Sequence, residues 1–184
     1  MGILKTLTKE YFGEIEREEE KIDGVEENHE FTDKNGKFHE KGFFITNGEN
    51  KILRKLVLKL VKQRGADADL NDFDVSNIKD MSKIFEPTTD EKGNYLWNDF
   101  TFYGDVSGWD VSSVENMEYM FCECESFNQP IGNWKFPNVT DMNHMFAYAT
   151  SFNQDLSKWD LKGKEKDKIF DGCPIVDKYK PKMK

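Results

Sequence analysis

The sequence has few of the residues that build most catalytic and metal centres. Three of its 184 residues are cysteine and three are histidine. They are scattered along the chain: Cys122, Cys124 and Cys173, and His29, His39 and His144. An odd and small number of cysteines does not support a disulfide framework, and one Cys-x-Cys pair without a second pair makes a poor zinc site. We therefore expect no metal and no cofactor, and we interpret the cysteines as small buried apolar residues.

Long apolar segments are absent as well. The chain has no run of roughly eighteen apolar residues, which a membrane-spanning helix requires. Its first residues, MGILKTLTKEYFGEIEREEE, also lack the apolar core of a signal peptide. As written, the sequence predicts a cytoplasmic protein without a membrane partner.

Positive charge is in deficit. Lysine and arginine total 26 against 35 aspartates and glutamates, which gives a net charge of -9 and a pI near 4.9. Because nonspecific nucleic-acid binding requires Lys and Arg to neutralise phosphates, we expect no direct contact with nucleic acid. A protein partner with a basic surface is the better expectation. Glutamates crowd the N-terminal region, including Glu16, Glu18, Glu19 and Glu20.

A repeat of about 25 residues fills the second half of the chain. Its units read FYGDVSGWDVSSVENMEYMF from Phe102, FNQPIGNWKFPNVTDMNHMF from Phe127 and FNQDLSKWD from Phe152. A fixed period of this length indicates a solenoid, in which structural units stack in one dimension.

An insertion interrupts the repeat after its first unit. That unit begins at Phe73, 36 residues before the equivalent Trp109. We therefore predict a loop over residues 86–99 that leaves the stack and exposes Tyr95 and Trp97.

Each unit is predicted to contain one short strand and one short helix. The alternation of apolar and polar residues that begins at Trp109 predicts the strand. Asn77, Ser113 and Asn138 are the predicted N-caps of three helices. Helical spacing then buries one apolar face in each unit: Ile78, Met81, Ile84 and Phe85; Val114, Met117, Met120 and Phe121; Val139, Met142, Met145 and Phe146. The predicted fold class is an α/β solenoid of about four strand–helix coils.

The pairs Asn128-Gln129 and Asn153-Gln154 recur in the turns that link the units. Backbone groups in such turns need hydrogen-bond partners, because the stack removes them from water. We interpret these side chains as ladders between neighbouring units, with a ligand site as the alternative.

The part of the chain before the repeat is predicted to hold two helices and a hairpin. Apolar spacing predicts a first helix from about Leu4 to Lys21. Asn35-Gly36 lies between two Phe-containing segments and predicts a β-hairpin. A second amphipathic helix is predicted with Asn50 as N-cap and Gly65 as its stop.

Four regions follow from these elements. Residues 1–48 form an N-terminal helix and hairpin extension, and residues 49–66 form a helix that caps the core of the stack. Residues 67–173 form the repeat, with the insertion at 86–99. The basic tail, 174–184, is expected to fold back over the last unit.

The units WDVSSVENMEYMFCECESFNQPIGNW and PNVTDMNHMFAYATSFNQDLSKWDL resemble the BspA-type leucine-rich-repeat family, also described as the DUF285 surface-protein repeat. The resemblance covers roughly Leu53 to Pro181. It implies a leucine-rich-repeat-like stack without catalytic activity, in proteins that are often located on the cell surface and bind other macromolecules. That family often has many repeats and an export signal, whereas this sequence shows about four units and no recognisable signal.

The function predicted from the sequence is a noncatalytic scaffold for protein–protein interaction. No Ser/His/Asp constellation, nucleotide-binding loop or metal quartet is visible, so no catalytic residue is assigned. The candidate contact residues are the aromatic pair of the insertion and the acidic cluster of the first helix: Tyr95, Trp97, Glu16, Glu18, Glu19 and Glu20. One alternative is an acidic inhibitor or nucleic-acid mimic that occupies the basic groove of an enzyme. The other is an exported surface adhesin whose signal is missing from this sequence.

Overall fold

The computed structural model describes residues 22–46, 48–87 and 102–183. In these ranges the chain forms β1 (Val25–Thr32), β2 (Phe38–Ile45), α1 (Asn50–Arg64), β3 (Phe73–Asp74) and a short 3-10 turn (Asp177–Tyr179). The three strands form one open sheet in the order β1-β2-β3. The predicted helix from Leu4 to Lys21 and most of the predicted insertion, 86–99, lie outside the described residues.

Strands β1 and β2 form the hairpin that Asn35-Gly36 predicted, and they pair in antiparallel orientation. Gly36 has a φ of 84°, in the left-handed region that glycine adopts without a steric penalty. The carboxylate of Asp33 accepts a hydrogen bond from the N–H of Asn35 at 2.9 Å. An Asx turn and one left-handed glycine together reverse the chain.

Strand β2 also pairs with β3, in parallel orientation, with Phe43 opposite Phe73. This pairing joins the hairpin to the residues that follow α1. The rings of Phe43 and Phe73 lie 5.6 Å apart, and the ring of Phe73 lies 6.1 Å from that of Trp109. The division of the chain at residues 48, 66 and 173 stays a prediction.

Helix α1 buries one apolar face: Leu53, Leu56, Val57, Leu60 and Val61. It ends at Gly65, whose N–H donates to the carbonyl of Val61 at 2.9 Å, as the sequence predicted. The predicted N-cap is wrong by one residue, because Glu49 occupies that position without a side-chain cap bond. Asn50 instead uses its side chain to contact the repeat.

The predicted solenoid of about four strand–helix coils is wrong, and so is the leucine-rich-repeat-like fold that the resemblance implied. Within residues 102–183 the structure has no α-helix and no strand longer than one bridged residue. The repeat units are successions of turns, joined by parallel bridges at equivalent positions: Asp80, Asn116, Asp141 and Glu165. The predicted helix caps have another role, since Asn138 Nδ2 donates to the carbonyl of Ser112 in the preceding unit at 2.8 Å.

Left-handed residues explain why no helix forms in the units. Lys83, Tyr119, His144 and Lys168 have φ values of 59°, 54°, 56° and 49°, whereas an α-helix requires φ near about -63°. The N–H of Tyr119 donates to the carbonyl of Asn143 in the next unit at 3.0 Å, instead of to a carbonyl four residues earlier. Apolar residues at spacings of three and four are compatible with both arrangements, so periodicity alone favoured the wrong one.

The apolar columns that the repeat predicted do form the core. Trp109, Trp134 and Trp159 are all buried. A second column consists of stacked phenylalanine rings at separations of 5.1, 5.6 and 5.7 Å: Phe85, Phe121, Phe146 and Phe170. The large side chains therefore serve packing between units.

The predicted side-chain ladders are confirmed. Asn128 Oδ1 accepts the N–H of Asn153 at 2.9 Å, and Gln154 Nε2 donates to the carbonyl of Asn128 at 2.8 Å. Asn153 Oδ1 in turn accepts the N–H of Val176 from the tail at 3.0 Å. These amides connect backbone groups of successive units, as structural ladders do.

The tail packs on one side of the last unit. The N–H of Leu156 donates to the carbonyl of Tyr179 at 2.8 Å, and Asp160 forms a parallel bridge with Lys182. The tail therefore folds back as predicted, and its contacts lie along residues 153–160.

Candidate interaction surface

A row of basic and aromatic side chains follows the left-handed positions of the repeat. Lys83 Nζ lies 5.0 Å from the centroid of the Tyr119 ring. The rings of Tyr119 and His144 stack at 4.7 Å with an interplanar angle of 7°. Lys83 is exposed, and the two rings are half-buried. We refer to Lys83, Tyr119 and His144 as the strip.

The backbone of the strip is strained. A residue other than Gly, Asn or Asp seldom adopts the left-handed region, because it costs roughly 1–2 kcal/mol per residue. The ladder of backbone hydrogen bonds accounts for the conformation, but it does not account for Tyr119 and His144. Gly or Asn would support the same ladder with less strain. Because strained residues concentrate at functional sites, the strip is a candidate contact surface.

Tyr148 lies at a second left-handed position, four residues after His144, with a φ of 57°. Its side chain is 52% exposed. A Cβ atom added to Gly172 would lie 2.6 Å from the Tyr148 ring, so the ring rests directly over that glycine. An exposed tyrosine on a defined support is a residue type that protein interfaces favour.

A shallow cleft of about 230 Å³ separates the hairpin from the first repeat unit. Asp33, one of its lining residues, pairs with His39 at 3.0 Å between Oδ2 and Nε2, and both side chains are buried. Burial raises the pKa of Asp33, but hydrogen bonds from His39 and from the N–H groups of Lys37 and Asn35 outweigh that effect. The pKa of Asp33 is therefore lower than its ordinary value, and its charged form is stabilised.

The other charged groups of the cleft are also paired. Lys34 Nζ lies 2.9 Å from Asp110 Oδ2, and His29 Nε2 lies 3.1 Å from Asp74 Oδ2. Burial raises the pKa of Asp110, whereas hydrogen bonds from Ser112 and Lys34 lower it by more. In the described ranges no group of three or more His, Cys, Asp or Glu side chains is placed to hold a metal ion. The contacts of the cleft fasten the hairpin to the repeat.

The predicted contact residues are not among those described. Tyr95 and Trp97 belong to the insertion, and Glu16, Glu18, Glu19 and Glu20 belong to the first predicted helix. Their assignment as contact residues stays a prediction. The sequence analysis did not predict the strip. One signal for it was present, since its residues occupy the same offset in successive units, at positions that the apolar pattern leaves free.

A comparison with protein families identifies the repeat. The model described as "Mycoplasma protein of unknown function, DUF285" matches residues 59–179, which is more than half of the chain. The chain belongs to the DUF285 family. The match begins inside α1 and ends in the 3-10 turn, so it includes the C-terminal part of α1 but not Asn50 and Arg54, which contact the first repeat. Comparisons with curated proteins and with solved structures found no match.

Among the described residues, no helix combines the length and the apolar composition needed to cross a bilayer. Helix α1, at 15 residues, carries lysines and arginines along its length.

Proposed function

We propose that this DUF285 protein is a noncatalytic module for binding another protein, and that the strip is its contact surface. One observation carries the proposal. Tyr119 and His144 occupy strained left-handed positions, and the backbone ladder there does not need either side chain. A stacked pair of rings with a lysine above it offers a rigid, partly apolar surface, and the loss of side-chain entropy on binding is small.

The environments of the histidines support a noncatalytic function. His39 and His29 are paired with Asp33 and Asp74, and the ring of His144 is stacked on Tyr119. Asp33 accepts hydrogen bonds from three donors, all within the hairpin. This hydrogen bonding orders the turn and gives a structural reason for the pair.

Within the DUF285 family we interpret the repeat as BspA-type. The support is the recurrence of Trp, Met, Met and Phe at fixed offsets in the units that begin at Trp109 and Trp134. BspA-type repeats are associated with surface proteins that bind other macromolecules, so this interpretation favours binding over catalysis.

The strip is tested by two substitutions that preserve the backbone, Tyr119→Asn and His144→Asn. Asparagine tolerates the left-handed region, so we expect the free energy of unfolding to be unchanged or slightly higher. We expect partner recovery, measured by quantitative affinity purification from the native cell, to fall about tenfold or more. Lys158→Asn, at an exposed residue outside the strip, is the matched control and should leave recovery unchanged.

Loss of stability in both strip variants with undiminished partner recovery would show that the stacked rings are structural. The same assay also tests two other candidate contact surfaces, the insertion and the N-terminal residues. If Trp97→Ala and removal of residues 1–21, which keeps the hairpin in place, leave the recovered partners unchanged, neither the insertion nor the predicted first helix contacts the partner.

An acidic inhibitor of a basic groove is the second candidate function. It is favoured by the net charge of -9 and by three exposed glutamates on β1, Glu26, Glu27 and Glu30. Binding of this type weakens steeply as salt is added, because it depends on exposed charges. If the affinity for the purified partner stays constant between low and high salt, this candidate is eliminated.

A further inference from the structure

The backbone ladder of the repeat has one direction over the residues that follow each bridged position. There, alternate N–H groups of one unit donate to carbonyls of the following unit, whereas at the bridges Thr140 and Glu165 donate back to the carbonyls of Glu115 and Thr140 in the preceding unit. Equivalent bonds run from Met117 to Asp141 and from Met142 to Glu165, both at 2.8 Å. The first unit therefore presents carbonyls at its outer side, and the last unit presents N–H groups.

Helix α1 satisfies the outer carbonyls of the first unit. Asn50 Nδ2 donates to the carbonyls of Asp80 at 3.2 Å and Ser82 at 2.9 Å. Arg54 donates to the carbonyls of Ile84 at 3.0 Å and Glu86 at 2.7 Å. It also donates to the carbonyl of Lys83. Two side chains of one helix thus replace the row of donors that a preceding unit would supply.

The opposite end of the ladder has no such cover among the described residues. The tail contacts residues 153–160, on the other side of the last unit. Four N–H groups that correspond to donors in the earlier units find no acceptor in the described part of the chain: Lys166, Lys168, Phe170 and Gly172. We refer to these four residues as the open row.

The open row includes one aromatic surface. Phe170 is half-buried and stacks on Phe146 at 5.7 Å, with an interplanar angle of 12°. Its ring continues the phenylalanine column, and no ring follows it in the described residues. A segment placed on the open row would therefore gain apolar contact as well as hydrogen bonds.

The units of the chain show what side chains suit a ladder partner. At the bridged position they carry an acidic residue or Asn, and four and five residues later they carry an apolar residue and a Phe. The three columns are Asp80, Asn116, Asp141 and Glu165; Ile84, Met120, Met145 and Ile169; and Phe85, Phe121, Phe146 and Phe170. The bridged Asp141 also stabilises its own turn, because its Oδ1 accepts the N–H of Asn143 at 2.8 Å.

We propose that the open row binds a segment of a partner protein that runs parallel to residues 166–172 and adopts the turn conformation of a repeat unit. The segment carries an acidic residue followed, four and five positions later, by an apolar residue and an aromatic one. Its carbonyls accept the free N–H groups, its aromatic ring covers Phe170, and its acidic residue continues the column of bridged residues that ends at Glu165.

A second copy of this chain does not fit the open row as its ladder partner. The copy would have to supply carbonyls, and its ladder carbonyls at the first unit are already bonded to Asn50 and Arg54. If the open rows of two copies faced each other, N–H donors would lie against N–H donors. The occupant is therefore assigned to a different protein, and this site is separate from the strip.

The probe is a fluorescent peptide with the sequence of residues 141–148, DMNHMFAY, titrated with the full chain and followed by anisotropy. We expect saturable binding, and about tenfold slower amide exchange at Lys166, Lys168 and Phe170 in NMR spectra of the complex. A peptide of the same composition in scrambled order is the control and should neither bind nor slow exchange.

Two variants test the contacts of the open row. Phe170→Ala removes the aromatic platform, and Lys168→Glu reverses the charge of an exposed side chain and leaves the core intact. Each should weaken peptide binding by about tenfold. Tyr119→Asn should bind the peptide as tightly as the unmodified chain, which separates this site from the proposed contact strip.

Equal binding of the scrambled peptide would overturn the proposal, and so would unchanged amide exchange in the open row at saturating peptide. A third result would overturn the choice of partner. If the free protein forms dimers at micromolar concentration, and the amides of the open row are protected in those dimers without peptide, the occupant is a second copy.

Discussion

Single carboxylates fix much of the local backbone. In many turns an Asp Oδ1 accepts the N–H of the residue two positions later, at 2.8 to 3.0 Å: Asp33, Asp69, Asp74, Asp80, Asp105, Asp110, Asp141, Asp155 and Asp160. Asx turns of this kind compete with helix formation, because they give the N–H a local acceptor outside the helix. Part of the acidic composition therefore serves the turns.

Asp33 is expected to be the most important of these carboxylates for stability. Asp33→Ala removes the acceptor of three hydrogen bonds and leaves His39 buried without its partner. We expect the free energy of unfolding, measured with urea at neutral pH, to fall by about 3 kcal/mol. Asp155→Ala, at an exposed Asx turn, is the control and should change stability much less. Equal losses in the two variants would contradict a special role for the buried pair.

The Asp33–His39 pair should also make part of the free energy of unfolding depend on pH in the acid range. The folded protein holds the pKa of Asp33 below its ordinary value, so the unfolded chain binds a proton at higher pH than the folded chain does. The stabilisation is complete above the unfolded pKa of about 4 and is lost as pH falls through the lower folded value. The difference in unfolding free energy between the unmodified chain and Asp33→Ala should therefore shrink below about pH 4. A difference that stays constant down to pH 2 would argue against a contribution of Asp33 ionisation to stability.

Cys122 and Cys124 are expected to be unreactive in the folded protein. Burial, with Glu123 and Glu86 nearby, raises the pKa of the Cys122 thiol to about 12. Burial also raises the pKa of Cys124 well above its ordinary value. We expect iodoacetamide at neutral pH to modify the half-exposed Cys173 first and the other two only in denaturant, as read by mass spectrometry. Rapid modification of Cys122 in the native protein would show that this side chain is accessible.

At the scale of secondary-structure elements, α1 terminates the ladder. Arg54 donates to three carbonyls of the first unit, so Arg54→Ala leaves those acceptors without protein donors. We expect a loss of about 2 kcal/mol in urea unfolding, and only partial recovery with Arg54→Lys, because an ammonium group lacks the planar fork of guanidinium. Lys51→Ala, on the exposed side of the helix, should be neutral. A comparable loss in that control would point to helix propensity instead of the ladder.

The elements differ in how much of their structure the sequence predicted. Asn35-Gly36 and Gly65 act within a few residues, so the hairpin and the end of α1 were predicted correctly. The units were not, because the N–H of Tyr119 pairs with Asn143 in the next unit, and a local pattern contains no information on that partner. The strip depends on the same ladder, which explains why its residues were recognised only in the structure.

At the scale of the whole molecule, the ladder should produce a gradient of protection from hydrogen exchange. Amides of the inner units, such as Met117, Tyr119 and Phe121, donate to the next unit and should exchange slowly, near the limit set by global unfolding. Amides of the open row, such as Lys166 and Phe170, should exchange rapidly in the free protein. Exchange followed by NMR at neutral pH measures both groups, and slow exchange at the open row would mean that an acceptor already covers it.

The sequence by itself determined which residues are buried. The repeat predicted the columns of Trp109, Trp134 and Trp159, because a fixed period places equivalent side chains in equivalent environments whatever the backbone conformation is. Only the tertiary structure decided the conformation of each unit and the surfaces that remain available. Those depend on hydrogen bonds between residues in different units, on the left-handed φ of Tyr119 and His144, and on which end of the ladder α1 covers. The period identifies the core, and the direction of the ladder determines which groups are left to bind a partner.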